Sequence, residues 1–280
     1  MKPTLTGEML KKLKQFLQRE ERSGATAEKY LRDVRQFKRW LGFRPLSRKN
    51  VAAWKNALLA EGYSARSVNG KLSSLNALFR AIGREDCRVK TLRVQREVFR
   101  DAGRELTRSE YERLVRTAER LGKDRLALIM ETICSCGLRV SELRHITLEA
   151  ARNGKAVIAM KGKLRTILLP RKLRRKLEQY AKQHGITQGC IFITKTGTPI
   201  SRRQIWGEMK ALCHAAGVAP GKVFPHNLRH LFAVEYYRAN RDIVKLADIL
   251  GHSSIETTRI YLISTGAEHQ KQIDSMRLVC

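Results

Sequence analysis

Six side chains in this 280-residue chain have types and spacings that could do chemistry together: Arg139, Lys161, His226, Arg229, His252 and Tyr261. They sit in four short segments. These are C-G-L-R-V-S-E-L (Cys136 to Leu143), K-G-K (Lys161 to Lys163), P-H-N-L-R-H (Pro225 to His230) and L-G-H-S-S-I-E-T-T-R-I-Y (Leu250 to Tyr261). Each segment alone has an ordinary structural explanation. Arg139 follows a helix-ending Gly137 and could simply pair with Glu142, three residues on. If Pro225 opens a helix, His226, Arg229 and His230 fall at i, i+3 and i+4 on one face. Two histidines at i, i+4 could ligate zinc, but no H-E-x-x-H glutamate accompanies them. Cys134 and Cys136 do not supply the missing spacing, so no metal is expected. A tyrosine in an amphipathic helix is by default a core residue, and a lysine at a hairpin turn is unremarkable.

As a set they suit phosphoryl chemistry. Two arginines can hold the nonbridging oxygens of one phosphodiester and neutralise charge as phosphorus becomes pentacoordinate. Two imidazoles can donate hydrogen bonds or shuttle a proton. A lysine can protonate a leaving alkoxide. A tyrosine can attack phosphorus and retain the phosphate covalently. The set needs no metal, and the chain has no G-x-x-x-x-G-K-[ST] loop, so no nucleotide or other cofactor is expected.

Apolar periodicity indicates the elements that must position these groups. Four helical stripes fill the first hundred residues: Met9, Leu10, Leu13, Phe16 and Leu17; Tyr30, Val34, Phe37 and Leu41; Val51, Trp54 and Leu58; and Val68, Leu72, Leu75, Phe79 and Ile82. Ser64 suits an N-cap for the last. Residues 1–95 therefore read as a helical bundle with basic outer faces and its aromatics in the core. The charged stretch 96–104 reads as a linker. The second domain, 105–280, is expected to be mainly helical with a small β-sheet. Its first helix carries a capping-box pattern, Thr107 with Glu110. Leu126 to Cys136 reads as a buried helix. Ala156 to Met160 and Thr166 to Leu169 read as a hairpin around Lys161-Gly162-Lys163. Pro170 opens a very basic helix, Ile191 to Thr194 reads as a further strand, and helices are predicted over 201–216, 225–239, 242–250 and 253–262.

Charge says what the two domains meet. There are 56 Lys+Arg against 26 Asp+Glu, a net charge of +30. The excess is shared: 25 basic and 10 acidic residues before position 105, 31 and 16 from it onward. Two equally basic folded halves suit a clamp on one polyanion better than a basic tail does. No apolar run approaches the ~18 residues of a membrane span and no signal-peptide core opens the chain. The six cysteines lack paired C-x-x-C spacing and read as reduced thiols, so a cytoplasmic protein is expected.

The order G-L-R-x-S-E-L, K-G-K, P-H-x-L-R-H, L-G-H and a tyrosine nine residues on resembles the tyrosine recombinase (phage integrase) family. The stretch A-T-A-E-K-Y-L-R-D-V-R-Q-F-K-R-W is similar to that family's core-binding domain. The resemblance implies an N-terminal helical, SAM-like core-binding bundle and a C-terminal mixed α/β catalytic domain. It also implies a DNA-clamping, site-specific recombinase working through 3′-phosphotyrosine intermediates without a high-energy cofactor. By it Arg139, Lys161, His226, Arg229, His252 and Tyr261 form the active site, Glu142 orients its neighbours and His230 supports the fold. It implies a homotetramer on synapsed duplex DNA, joined by a C-terminal exchange tail, 266–280, whose Ala267, Ile273, Met276 and Val279 form an apolar face. The chain opens almost directly on the core-binding helices, so short inverted-repeat core sites are expected, with accessory directionality factors as further partners. Two departures from the family pattern stand out. The interval from Lys161 to Arg165 is one residue shorter than the common K-G-x-x-x-R spacing, which leaves Lys163 a rival for the general acid. Leu262 and Ile263 follow the tyrosine where Thr-His is frequent. The alternatives are a type IB-like topoisomerase and a non-cleaving DNA-binding regulator.

Overall fold

The computed structural model describes residues 4–94, 102–160, 163–252, 254–261 and 274–276. The chain divides into two compact units, Met1–Arg96 and Glu97–Cys280.

The first unit is a bundle of α1 (Gly7–Arg19), α2 (Gly24–Leu41), α3 (Arg48–Ala60) and α4 (Ala65–Ala81). Each helix begins at a hydroxyl cap. Thr6, Ser23, Ser47 and Ser64 accept from the N–H groups of Met9, Thr26, Asn50 and Ser67. Each cap satisfies one orphan donor and stabilises its helix by about 1 kcal/mol. The apolar stripes meet in one core, with Leu13, Phe37, Trp54, Leu72 and Phe79 buried and the Phe37 and Trp54 rings 5.0 Å apart. Phe43 departs from the expected burial of aromatics: it is fully exposed on the loop after Gly42.

The second unit opens with α5 (Arg108–Arg120), whose Thr107–Glu110 capping box is formed as expected. Next comes α6 (Asp124–Cys136), eight of its thirteen residues apolar, which packs against four other helices at the centre of the core. Three further elements follow: the short α7 (Leu148–Asn153), the antiparallel hairpin β1 (Lys155–Met160) and β2 (Lys163–Leu168), and α8 (Arg171–Gln183). The hairpin alternates with period two. Ala156, Ile158 and Ile167 enter the core while Val157, Leu164 and Leu168 face outwards. The unit continues with α9 (Arg202–Ala216), α10 (Pro225–Asn240), α11 (Ile243–Leu250) and α12 (Ile255–Arg259).

Four expectations need correction. Ile191 to Thr194 is not a strand; it makes isolated bridges, Thr147 to Cys190 and Ile193 to Pro199. The chain reverses at once through the Gly197 to Thr194 turn, which leaves no length for a ladder. The second hairpin strand begins at Lys163, three residues before Thr166, because pairing extends to Met160–Lys163. The last helix ends at Arg259, so Tyr261 lies in the following turn, its N–H donating to the Thr258 carbonyl. Helix α7 was not anticipated; six residues are too few for a periodic signal. Residues 95–101 lie outside the described residues, and with them most of the 96–104 linker. So does the 266–280 tail, apart from residues 274–276. Among the described residues no helix is long and apolar enough to cross a membrane.

Candidate active site

The site assembles where two glycines end helices. Gly137, at φ 60°, ends α6, and Gly251, at φ 63°, ends α11. Both are left-handed caps that only glycine adopts without strain. Space demands glycine as well. A Cβ on Gly137 would lie 2.5 Å from the Phe232 ring, and one on Gly251 would lie 2.5 Å from Cδ of Arg165. The sharp stops place Arg139 and His252 immediately after their helices.

Arg139 caps a 3-10 turn, Val140–His145. Its backbone N–H donates to Oε2 of Glu142 and its Nη1 to Oε1, both at 2.9 Å. The ion pair foreseen from i, i+3 spacing is thus present, yet it does not exhaust the guanidinium, whose side chain stays 39% exposed. Glu142 is buried at 1% exposure and has a second cation. Arg165 Nη1 donates to its Oε2 at 2.9 Å.

Helix α10 presents two faces. Pro225 at its first position leaves no unsatisfied N–H there. His226 and Arg229 line a cavity of about 720 Å³ with Arg139. Arg202, Arg203 and Trp206 from α9 and Phe224 continue the same cavity. His230 turns elsewhere: its Nε2 lies 3.6 Å from Glu105 Oε1, and its ring meets Tyr261 edge-on at 5.0 Å. The three residues expected on one face are therefore split between the cavity and the tyrosine.

Arg229 is 2% exposed. Nη1 donates to the Gly137 carbonyl at 2.7 Å; Nη2 donates to the Leu250 carbonyl at 2.8 Å and reaches His252 Nε2 at 2.8 Å. It thus ties the C-terminal ends of α6 and α11 together, where unpaired carbonyls carry partial negative charge. Burial, reinforced by Arg139, lowers its pKa to about 10, with the Tyr261 phenol offsetting part of the shift. Burial and then Arg229 push His252 down to about 4 and lower His226 as well. His252 Nδ1 lies 2.9 Å from Thr258 Oγ1. Tyr261 stacks on His252 with centroids 5.9 Å apart and is 3% exposed.

The structure thus brings together Arg139, Glu142, His226, Arg229, His230, His252 and Tyr261. Lys161 lies outside the described residues, as does the side chain of Lys163. Two participants escaped the sequence reading. Arg165 was noted only for its spacing from Lys161, and Thr258 bore no local signal at all. Nothing in this set is a metal cage: among the described residues, no three His, Cys, Asp or Glu side chains could hold an ion together.

Residues 104–268 match the phage integrase family, and residues 10–86 match the phage integrase N-terminal SAM-like domain. The chain belongs to the phage integrase family and is a tyrosine site-specific recombinase. It is 29% identical to tyrosine recombinase XerA of Pyrococcus furiosus, over 96% of this chain and 93% of that protein. It is 30% identical to tyrosine recombinase XerD of Pseudomonas aeruginosa, over 84% of this chain and 85% of that one. The fold is similar to that of a lambda integrase dimer bound to a COC′ core site, with a TM-score of 0.73 at 21% identity over 91% of this chain and 94% of that one. It is also similar to the XerH recombinase bound to difH substrate before cleavage, with a TM-score of 0.69 at 18% identity over 97% and 85%.

Proposed function

We propose that this recombinase cleaves duplex DNA by attack of the Tyr261 phenol oxygen on a backbone phosphorus. The new bond joins tyrosine to the 3′-phosphate, and the bond to the 5′-oxygen breaks. A lysine of the hairpin, Lys161 or its rival Lys163, protonates that oxygen as it leaves. Arg139 and Arg229 hold the nonbridging oxygens, and the neutral imidazole of His226 or His252 takes the phenol proton as the tyrosine attacks. Attack by the 5′-hydroxyl of a second strand reverses the step and rejoins the DNA. The phosphotyrosine conserves the energy of the broken bond, so no high-energy cofactor enters.

One observation carries this reading. Arg229 faces the cavity shared with Arg139 and His226, and through His252 it adjoins the tyrosine. At 3% exposure the phenol meets a phosphate only after leaving its slot between His230 and His252. Both basic units contact the duplex, and a homotetramer on two inverted-repeat core sites, linked by the 266–280 tail, completes the exchange in the cytoplasm. Tyr261→Phe keeps DNA affinity and forms no covalent adduct, because only the nucleophilic oxygen is gone. Adduct at the wild-type level in that variant would disprove the assignment.

A further inference from the structure

Arg165 lies on β2, one residue from the exposed Leu164, and turns the other way; its side chain is 11% exposed. It spans three parts of the site. Nη1 donates to Glu142 Oε2 at 2.9 Å, while Nε and Nη2 fork onto the Ile249 carbonyl at 3.1 and 2.6 Å. Its methylene stem fills the space beside Gly251 that a Cβ would need. We propose that Arg165 is a positioning residue for strand cleavage, setting Arg139 through Glu142 and the His252 turn through Ile249 and Gly251.

The chemistry of the contacts favours this over a plain strut. The Glu142 carboxylate has two oxygens and three donors: the Arg139 N–H, the Arg139 guanidinium and Arg165. Arg165 occupies Oε2 from one side, so Oε1 is left to receive Arg139 Nη1 in a single orientation. Without Arg165 the carboxylate keeps only the two donors of Arg139 itself and loses its tie to β2, so the carboxylate and the partly exposed Arg139 can shift together. At the other end the fork covers a terminal carbonyl of α11, where a cation is favoured. That contact holds the chain two residues before Gly251 and three before His252. Only arginine offers Nε and Nη donors in one plane; lysine's donors radiate from a single nitrogen and cannot reproduce the fork on Ile249 together with the Glu142 contact.

The inference rests on the proposed roles of Arg139 and His252, and a double-mutant cycle separates the two. Single-turnover cleavage at saturating DNA is measured for wild type, Arg165→Gln, Arg139→Ala and the double variant, with DNA Kd and thermal melts for each. Misplacement by about 1 Å can cost on the order of 100-fold in rate. Arg165→Gln is expected to slow cleavage about 10- to 100-fold with Kd within about twofold, and to add less than about threefold once Arg139 is already alanine. Equal losses in both backgrounds, or a parallel loss of affinity and rate, overturn the proposal. If Arg165→Gln does not fold, Arg165→Lys carries the same cycle with the charge retained; wild-type cleavage in that variant also overturns it. An Arg139→Ala variant that cleaves normally instead refutes the reading of Arg139, which the single variant reports independently.

Discussion

Arg229 donates an N–H to Nε2 of His252 across 2.8 Å, and this one bond fixes the state of the imidazole. A guanidinium has only donors, so Nε2 must accept and is unprotonated. The proton therefore sits on Nδ1 and is donated to Thr258 Oγ1, 2.9 Å away. His252 is held as the neutral Nδ1–H tautomer, and Nε2 can donate to an entering phosphate only after it has lost Arg229 and gained a proton.

The pH dependence of stability follows from that pairing. His252 titrates near 4 in the fold, against an ordinary 6.5, mainly because it is buried and next because Arg229 faces it. The unfolded chain then binds the proton more readily than the folded one, so His252 contributes stability above about pH 6.5 that is lost as pH falls towards 4. His226 shifts in the same direction. Thermal melts between pH 7 and 4 should show Tm falling less steeply in His252→Gln than in wild type. Superimposable slopes would mean that the imidazole is not held neutral.

The two arginines should separate in their effects on folding. Arg139→Ala removes a partly exposed guanidinium but leaves Glu142 paired with Arg165, so it should slow cleavage by ~10²–10³, the scale of one lost oxyanion donor, with a smaller fall in Tm than Arg229→Ala and little change in DNA affinity. Arg229→Ala strands two helix-end carbonyls in the interior, each costing about 1–3 kcal/mol, so it should lower Tm as well as cleavage. Equal Tm values for the two variants would contradict the burial of Arg229.

The general acid can be found by changing its substrate. A bridging 5′-sulfur leaves without protonation, so loss of the acid matters only for the normal oxygen. Lys161→Ala is expected to cleave ordinary DNA poorly and recover on the sulfur-substituted strand, with Lys163→Ala showing little selective recovery. Recovery confined to Lys163→Ala would reassign the role, and recovery in neither would put the acid elsewhere.

Affinity for core-site DNA should fall steeply with salt, since both units carry excess cations. With ~6–10 phosphates contacted, Kd should weaken ~10³–10⁵-fold between about 50 and 200 mM salt. Filter binding across that range tests this, and a flat response would exclude broad backbone contact.

What the sequence determined by itself was local. The caps at Ser64 and Thr107, the stops at Gly137 and Gly251, and the apolar stripes of the bundle depend on neighbours within a turn or two, so spacing exposes them. The ordered motifs likewise identified most of the side chains that converge, because their types limit the chemistry. Tertiary structure decided what each does there. Arg165 meets Glu142 across 23 positions and Ile249 across 84, contacts that no local pattern encodes. His230 lies only about 40° around helix α10 from His226, at i+4, yet meets Tyr261 instead of the cavity, because the tertiary packing of Tyr261 decides which ring it meets. The His252 tautomer depends on Arg229 and Thr258 lying on opposite sides of one ring, and only the folded chain puts them there.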